Sequence, residues 1–128
     1  LTRASGARKP CDVQQARHRL VDARQFLEAA KLLDAPDVVA TCAIHAAIAA
    51  SDSITCHALG ERSNDGNHVS AVELLRKVDA KLATALKRAL DRKTQAAYES
   101  RDISAVDAAS CVRWAEQLLV AAETRLQT

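Results

Sequence analysis

The sequence predicts an all-α protein, an antiparallel up-and-down bundle of four long helical segments, or five helices if the chain breaks near Val78-Asp79. Three observations carry that prediction. Alanine, the strongest helix former, fills 27 of the 128 positions. Helix breakers are scarce, at 3 Gly and 2 Pro. Aromatics make up 2% of the chain, so a sandwich or barrel would lack both its strand residues and its turns. The length suits one domain with one core, placed at residues 11–128 behind a basic tail, 1–10, that is expected to be disordered.

Each helix has its own signature. From about Asp12 to Leu33, Val13, Ala16, Leu20, Ala23, Leu27 and Ala30 recur at spacings of three and four and share a face. Asp34-Ala35-Pro36 then supplies a turn and a helix start, with Pro36 near the first helical position. The second helix, about 37–59, has no Asp, Glu, Lys or Arg over residues 38–50, which predicts a central element, and Gly60 is placed to end it. Glu61 to His68 reads as a polar loop. Ser70-Ala71-Val72-Glu73 fits a capping box for the third helix, and Val72, Leu75, Val78, Leu82 and Leu86 keep helical phase toward Tyr98. One helix over that span would reach ~43 Å, longer than its neighbours, so a break is expected where Asp79 can cap a new segment. Ser104-Ala105-Val106-Asp107 opens the last helix, about 105–126.

Composition also narrows function. A net charge of +2 is too mild for a strong nonspecific nucleic-acid footprint. No apolar run reaches ~18 residues, and no apolar stretch follows Arg3, Arg8 and Lys9, so neither a membrane partner nor a signal peptide is expected. The absence of an initiator Met suggests a processed or trimmed start. Cys11, Cys42, Cys56 and Cys111 lie far apart, three of them in apolar helical patterns, which favours reduced thiols in a cytoplasmic protein. Cys42 and His45 share a helix face, but Cys56 and His57 lie ~16 Å further along the axis, too far to share one zinc ion. No metal and no cofactor is expected, and no Gly-rich phosphate loop is present.

Two features depart from a plain bundle. Thr41, His45, Asp52 and Thr55 form a polar stripe on the apolar second helix, and a buried Asp52 requires a cation or hydrogen bonds. In the segment from Asp79 to Tyr98, Lys93 falls near the middle of the inward stripe set by Leu82, Leu86, Ala89 and Ala96, with Arg92 at its edge. Lys93 either snorkels to water or pairs with a buried acid, for which Asp52 is the expected partner.

Cys42-Ala43-Ile44-His45-Ala46-Ala47-Ile48-Ala49-Ala50-Ser51-Asp52 resembles the Ala-rich second helix of the HEPN superfamily. The loop closing in Asn67-His68, the run Arg92-Lys93-Thr94-Gln95-Ala96-Ala97-Tyr98 and the opening of the last helix at Ser104 extend the similarity over residues 12–126. The resemblance implies a small helical bundle, commonly a homodimer. It also implies a metal-independent ribonuclease of toxin–antitoxin or phage-defence type, a nucleotide binder or a noncatalytic interaction module. An antitoxin or a nucleotidyltransferase is the implied partner of a toxin member.

Ribonuclease members carry an Arg followed after four to six residues by a His near the dimer cleft. Arg92 matches, but Tyr98 stands where the His would fall. A phenol with a pKa near 10 is a poor general base at neutral pH unless strongly perturbed; His45 or His68 could in principle substitute, though nothing in the spacing demands it. The leading expectation is therefore a dimeric protein that engages RNA, nucleotide or a protein partner with weak or no catalysis. Arg92, Lys93 and Tyr98 would line its cleft, with Asp52 and His45 opposite. An active ribonuclease using Arg92 and Tyr98, and a purely structural interaction bundle, are the alternatives.

Overall fold

The computed structural model describes residues 8–64 and 66–127. Five helices and one short hairpin-like pair follow in order: β1 (Arg8–Pro10), α1 (Val13–Leu32), α2 (Pro36–Leu59), β2 (Glu61–Ser63), α3 (His68–Val78), α4 (Ala80–Tyr98) and α5 (Ala105–Leu126). The helices form an all-α bundle, and the chain does break at Asp79.

Local chemistry sets the boundaries. Asp12 caps α1 in a reciprocal box with Gln15, each side chain taking the other's backbone N–H at 2.8 Å. Ala35 precedes Pro36 at the start of α2 without a side-chain cap. Gly60 ends α2 in the left-handed region at φ +71°, its N–H on the Cys56 carbonyl. The third helix starts earlier than the Ser70 box predicts, because the Asn67 carboxamide caps it by accepting from Ser70 N at 3.0 Å. Asp79 is shared: its N–H closes α3 on the Leu75 carbonyl, and its carboxylate accepts from Lys81 N and Leu82 N to open α4. Ser104 caps α5 through Asp107 N.

Helix α2 is the centre, and it packs against α1, α3, α4 and α5. Ala40, Ala43, Ala46, Ala47, Ala49 and Ala50 are all 0% exposed. From Ala49 to Cys56 every residue is buried. α2 is long and apolar enough to cross a membrane, but 67% of its most apolar stretch is buried inside the bundle, as in the core helix of a globular domain. Most of the larger side chains come from the neighbours, with Leu75, Leu86 and Leu118 fully enclosed beside Ile54 of α2. Cys111 lies among them, and burial pushes its thiol up to about 11.

Three sequence expectations give way at the N-terminus. Residues 8–10 are not a disordered tail: they pair antiparallel with 61–63 of the expected loop, Arg8 facing Ser63 and Pro10 facing Glu61. The rest of the tail, 1–7, lies outside the described residues. Nor are all four thiols reduced, because Cys11 and Cys56 are joined in a disulfide, their Cα atoms 5.6 Å apart. The fold brings them together by laying β1 back across the end of α2, and 45 residues of separation hid the contact. Closing a loop of that length restricts the unfolded chain enough to stabilise the fold by about 4 kcal/mol. Cys42 and Cys111 remain free thiols.

The alanine lining is sensitive to added volume. Ala47→Leu is expected to cost about 1–3 kcal/mol in urea denaturation, although leucine is more apolar, because nothing around it can yield. Ala109→Leu, on the exposed face of α5, should change stability by less than about 0.5 kcal/mol.

Candidate functional site

Asp52 lies in the last third of α2 and is 3% exposed. A carboxylate there needs compensation, and two arginines supply it. Arg19 of α1 reaches Asp52 Oδ2 with Nε at 3.2 Å and Nη2 at 3.1 Å. Arg62 of β2 donates Nη1 to the same oxygen at 3.3 Å. Arg19 also donates Nη1 to Asp22 Oδ2 at 2.9 Å, so it bridges a buried and a half-buried acid. This network replaces the expected Asp52–Lys93 pair.

The reason for that correction is axial distance. Lys93 acts electrostatically on Asp37, in the first turn of α2. Asp52 is fifteen residues further on, ~22 Å along a helix axis. In an antiparallel bundle the end of α4 therefore meets the start of α2, not its far end. Asp37 accepts from the backbone N–H of Ile103 at 2.9 Å. That bond, foremost, holds the Asp37 carboxyl below its ordinary 3.8, with Asp102 and the charge of Lys93 adding to it against partial desolvation.

Beside the Asp52 network lies a polar cleft of about 300 Å³, lined by Arg19, His45, Asp52, Asn64, Asn67 and His68, with Ile48 and Ala71 as its apolar floor. His45 is exposed and its ring stacks on Phe26, with centroids 5.1 Å apart. The other members of the predicted stripe turn to local duties: Thr41 Oγ1 donates to the Asp37 carbonyl at 2.8 Å, and Thr55 Oγ1 to the Asp52 carbonyl at 3.4 Å. Of the five residues expected to share a site, Asp52 and His45 share this cleft. Arg92, Lys93 and Tyr98 do not line it.

Those three residues are themselves spread around α4. The Arg92 guanidinium lies 5.4 Å from the ring centroid of Trp114 and is ion-paired to Asp107, with Nε 3.3 Å from Oδ1. Next to it runs an open groove of about 360 Å³ between α4 and α5, lined by Lys81, Thr84, Ala85, Arg88, Trp114 and Gln117. Lys81, Arg88 and Arg92 recur at spacings of seven and four, which places them on the same side of α4. Lys93 turns toward Asp37. Tyr98 follows Arg92 by six residues, about 120° round the helix, and is 89% exposed. A turn closes the helix just beyond it. Arg101 N bonds the Ala96 carbonyl and Ser100 N the Ala97 carbonyl, with Ser100 at φ +53° where glycine is the usual choice.

Arg19, Arg62 and Trp114 are members of these two candidate sites that sequence reasoning missed. Arg19 looked like one charge among many on an exposed face, and Arg62 like part of a loose loop. The available signal was Asp52 itself, whose burial demanded cations from elements near the end of α2. Among the described residues no group of three or more His, Cys, Asp or Glu side chains converges as a metal site would require. No protein-family model, curated protein or solved structure matches the chain.

Two outcomes check these assignments. Asp52→Ala leaves Arg19 and Arg62 facing each other without their shared acid, and should cost about 3–5 kcal/mol in chemical denaturation. The second concerns acid stability. Because Asp37 is depressed, its contribution is complete above its ordinary 3.8 and is lost as pH falls through its lower folded value. Asp37→Asn should therefore flatten the urea-midpoint profile below pH 4, while the wild type keeps losing stability there.

Proposed function

We propose that the protein binds single-stranded RNA, without cutting it, along the groove between α4 and α5. The observation that carries this reading is the Arg92 guanidinium laid over the Trp114 ring at the end of a groove lined by Lys81 and Arg88. Single strands are held by cations that follow the phosphates and by flat groups on which bases stack, and a guanidinium plane serves as such a group. Asp107 orients Arg92 and offsets part of its charge, so its ion pair must loosen for direct phosphate contact.

The absence of turnover follows from the same residues. The groove's lining has no histidine to take or give a proton near neutral pH. With +2 overall, affinity depends on this one face and should be strongly salt-dependent. The HEPN resemblance supports the reading, since noncatalytic binding is among the roles it implies.

A second reading has its own observation. His45 and His68 line the polar cleft together with Arg19. Two imidazoles can divide the general-base and general-acid work of RNA cleavage without metal, with an arginine nearby for the phosphate. This alternative is the ribonuclease toxin of a toxin–antitoxin or phage-defence system. The resemblance places such sites at a dimer cleft, so it also calls for a second copy of the chain.

One experiment separates them: a labelled single-stranded RNA is incubated with the protein in EDTA, with anisotropy and gel readouts. Binding without cleavage is expected. Arg88→Ala and Arg92→Ala should each weaken it about 3- to 10-fold, with a log–log salt slope near −2 for about three phosphates. Tyr98→Phe should leave binding within about twofold, since Tyr98 lies on another side of α4 from the groove. Cleavage abolished by His45→Ala or His68→Ala establishes the second reading, and binding indifferent to both arginines removes the first.

A further inference from the structure

We infer that the Cys11–Cys56 disulfide is a redox latch on the polar cleft, whose reduction by a dithiol frees the β1–β2 strap. The strap and the cleft are one piece of chain. β2 carries Arg62 onto Asp52, while Ser63 and Asn64, at its end, line the cleft wall. β1 holds β2 in place through a three-residue antiparallel pair, the Arg8–Glu61 ion pair at 3.5 Å and the Cys11 N–H bond to the Gly60 carbonyl at 3.0 Å. A two-stranded pair that short does not persist alone in water, and an ion pair exposed to solvent adds little. The covalent link to Cys56 is therefore what keeps β1 against the bundle, and β1 in turn covers β2, which also touches α2 and α3 directly.

The two sulfurs have unequal surroundings. Cys56 is 3% exposed within α2, whereas Cys11 is only half-buried. A dithiol's thiolate attacks the Cys11 sulfur, and the Cys56 sulfur leaves and takes up a proton. The reagent's second thiolate then attacks the mixed disulfide and releases Cys11, which is protonated in turn. Two electrons and two protons pass to the protein, and the reagent becomes a cyclic disulfide.

The rest of the bundle is built to survive this change. Arg19 reaches Asp52 from α1, which is anchored by Ala16, Leu20, Ala23 and Leu27 in the core. The buried carboxylate thus keeps a cation when Arg62 moves away. Reduction opens one wall of the cleft and leaves its floor in place.

The full chain is compared oxidised, reduced with dithiothreitol, and as Cys11→Ser, using amide hydrogen exchange with phenylglyoxal labelling of arginines. Reduction and Cys11→Ser should each bring exchange over 8–11 and 61–63 close to unprotected rates, while α2 and α4 amides stay protected and change together by the common factor that the lost loop constraint sets. Arg62 should label faster while Arg19 stays slow, and reoxidation should restore the starting pattern in the wild type. Unchanged exchange over 61–63 after reduction overturns the latch, because the strands would then hold without the bond. A rise over 61–63 no larger than the common rise in the helices also overturns it, by making the disulfide only a staple of the whole fold. Resistance of the disulfide to dithiothreitol in the folded protein overturns it as well.

Discussion

Everything in this bundle depends on how closely α2 lets its neighbours approach. Alanine side chains are short enough for backbone-to-backbone packing and lose no rotamer freedom on burial. A helix surrounded on all sides by such residues contributes little bulk of its own. The surrounding leucines of α3, α4 and α5 fill most of the remaining volume, so Leu75, Leu86 and Leu118 are fully enclosed, joined by Ile54 near the end of α2 itself. Small residues at the centre and large ones around it amount to one packing solution.

That solution leaves little tolerance for charge, and this gives Asp52 its importance. A single carboxylate on the fully buried stretch of α2 has to recruit cations from whatever elements lie beside it. It takes one from a rigid helix and one from a short strand, Arg19 and Arg62. The pair converts a local cost into a link between the core and the peripheral β1–β2 strap. The polar cleft exists because this network cannot be covered by apolar side chains without stranding its polar atoms. Cleft, strap and disulfide thus meet around one buried acid near the end of one helix.

The basic groove is independent of that network. It lies between α4 and α5, where Arg92 meets Trp114 and Asp107, and owes its shape to the phase of α4 after the Asp79 cap. The two regions were read from sequence as facing sides of one site, since Arg92, Lys93 and Tyr98 sit on one helix and His45 and Asp52 on another. Helical phase sends Arg92 and Tyr98 to different sides of α4. Antiparallel order brings Lys93 to Asp37, at the wrong end of α2 for Asp52. Helix existence, type and near-final boundaries were legible, including the break at Asp79 and the Ser104 cap, because caps and apolar periodicity are local.

The chain by itself determined its helices, the identity of the central one and the presence of a carboxylate that could not be buried alone. Propensity, capping and periodicity act within a few residues, so the sequence states them directly. Tertiary structure alone decided which arginines answer Asp52, that Cys11 meets Cys56 across 45 residues, and that 8–10 lies along 61–63. Those contacts depend on the direction in which helices pack and on how the chain end folds back over them. No local pattern encodes that geometry.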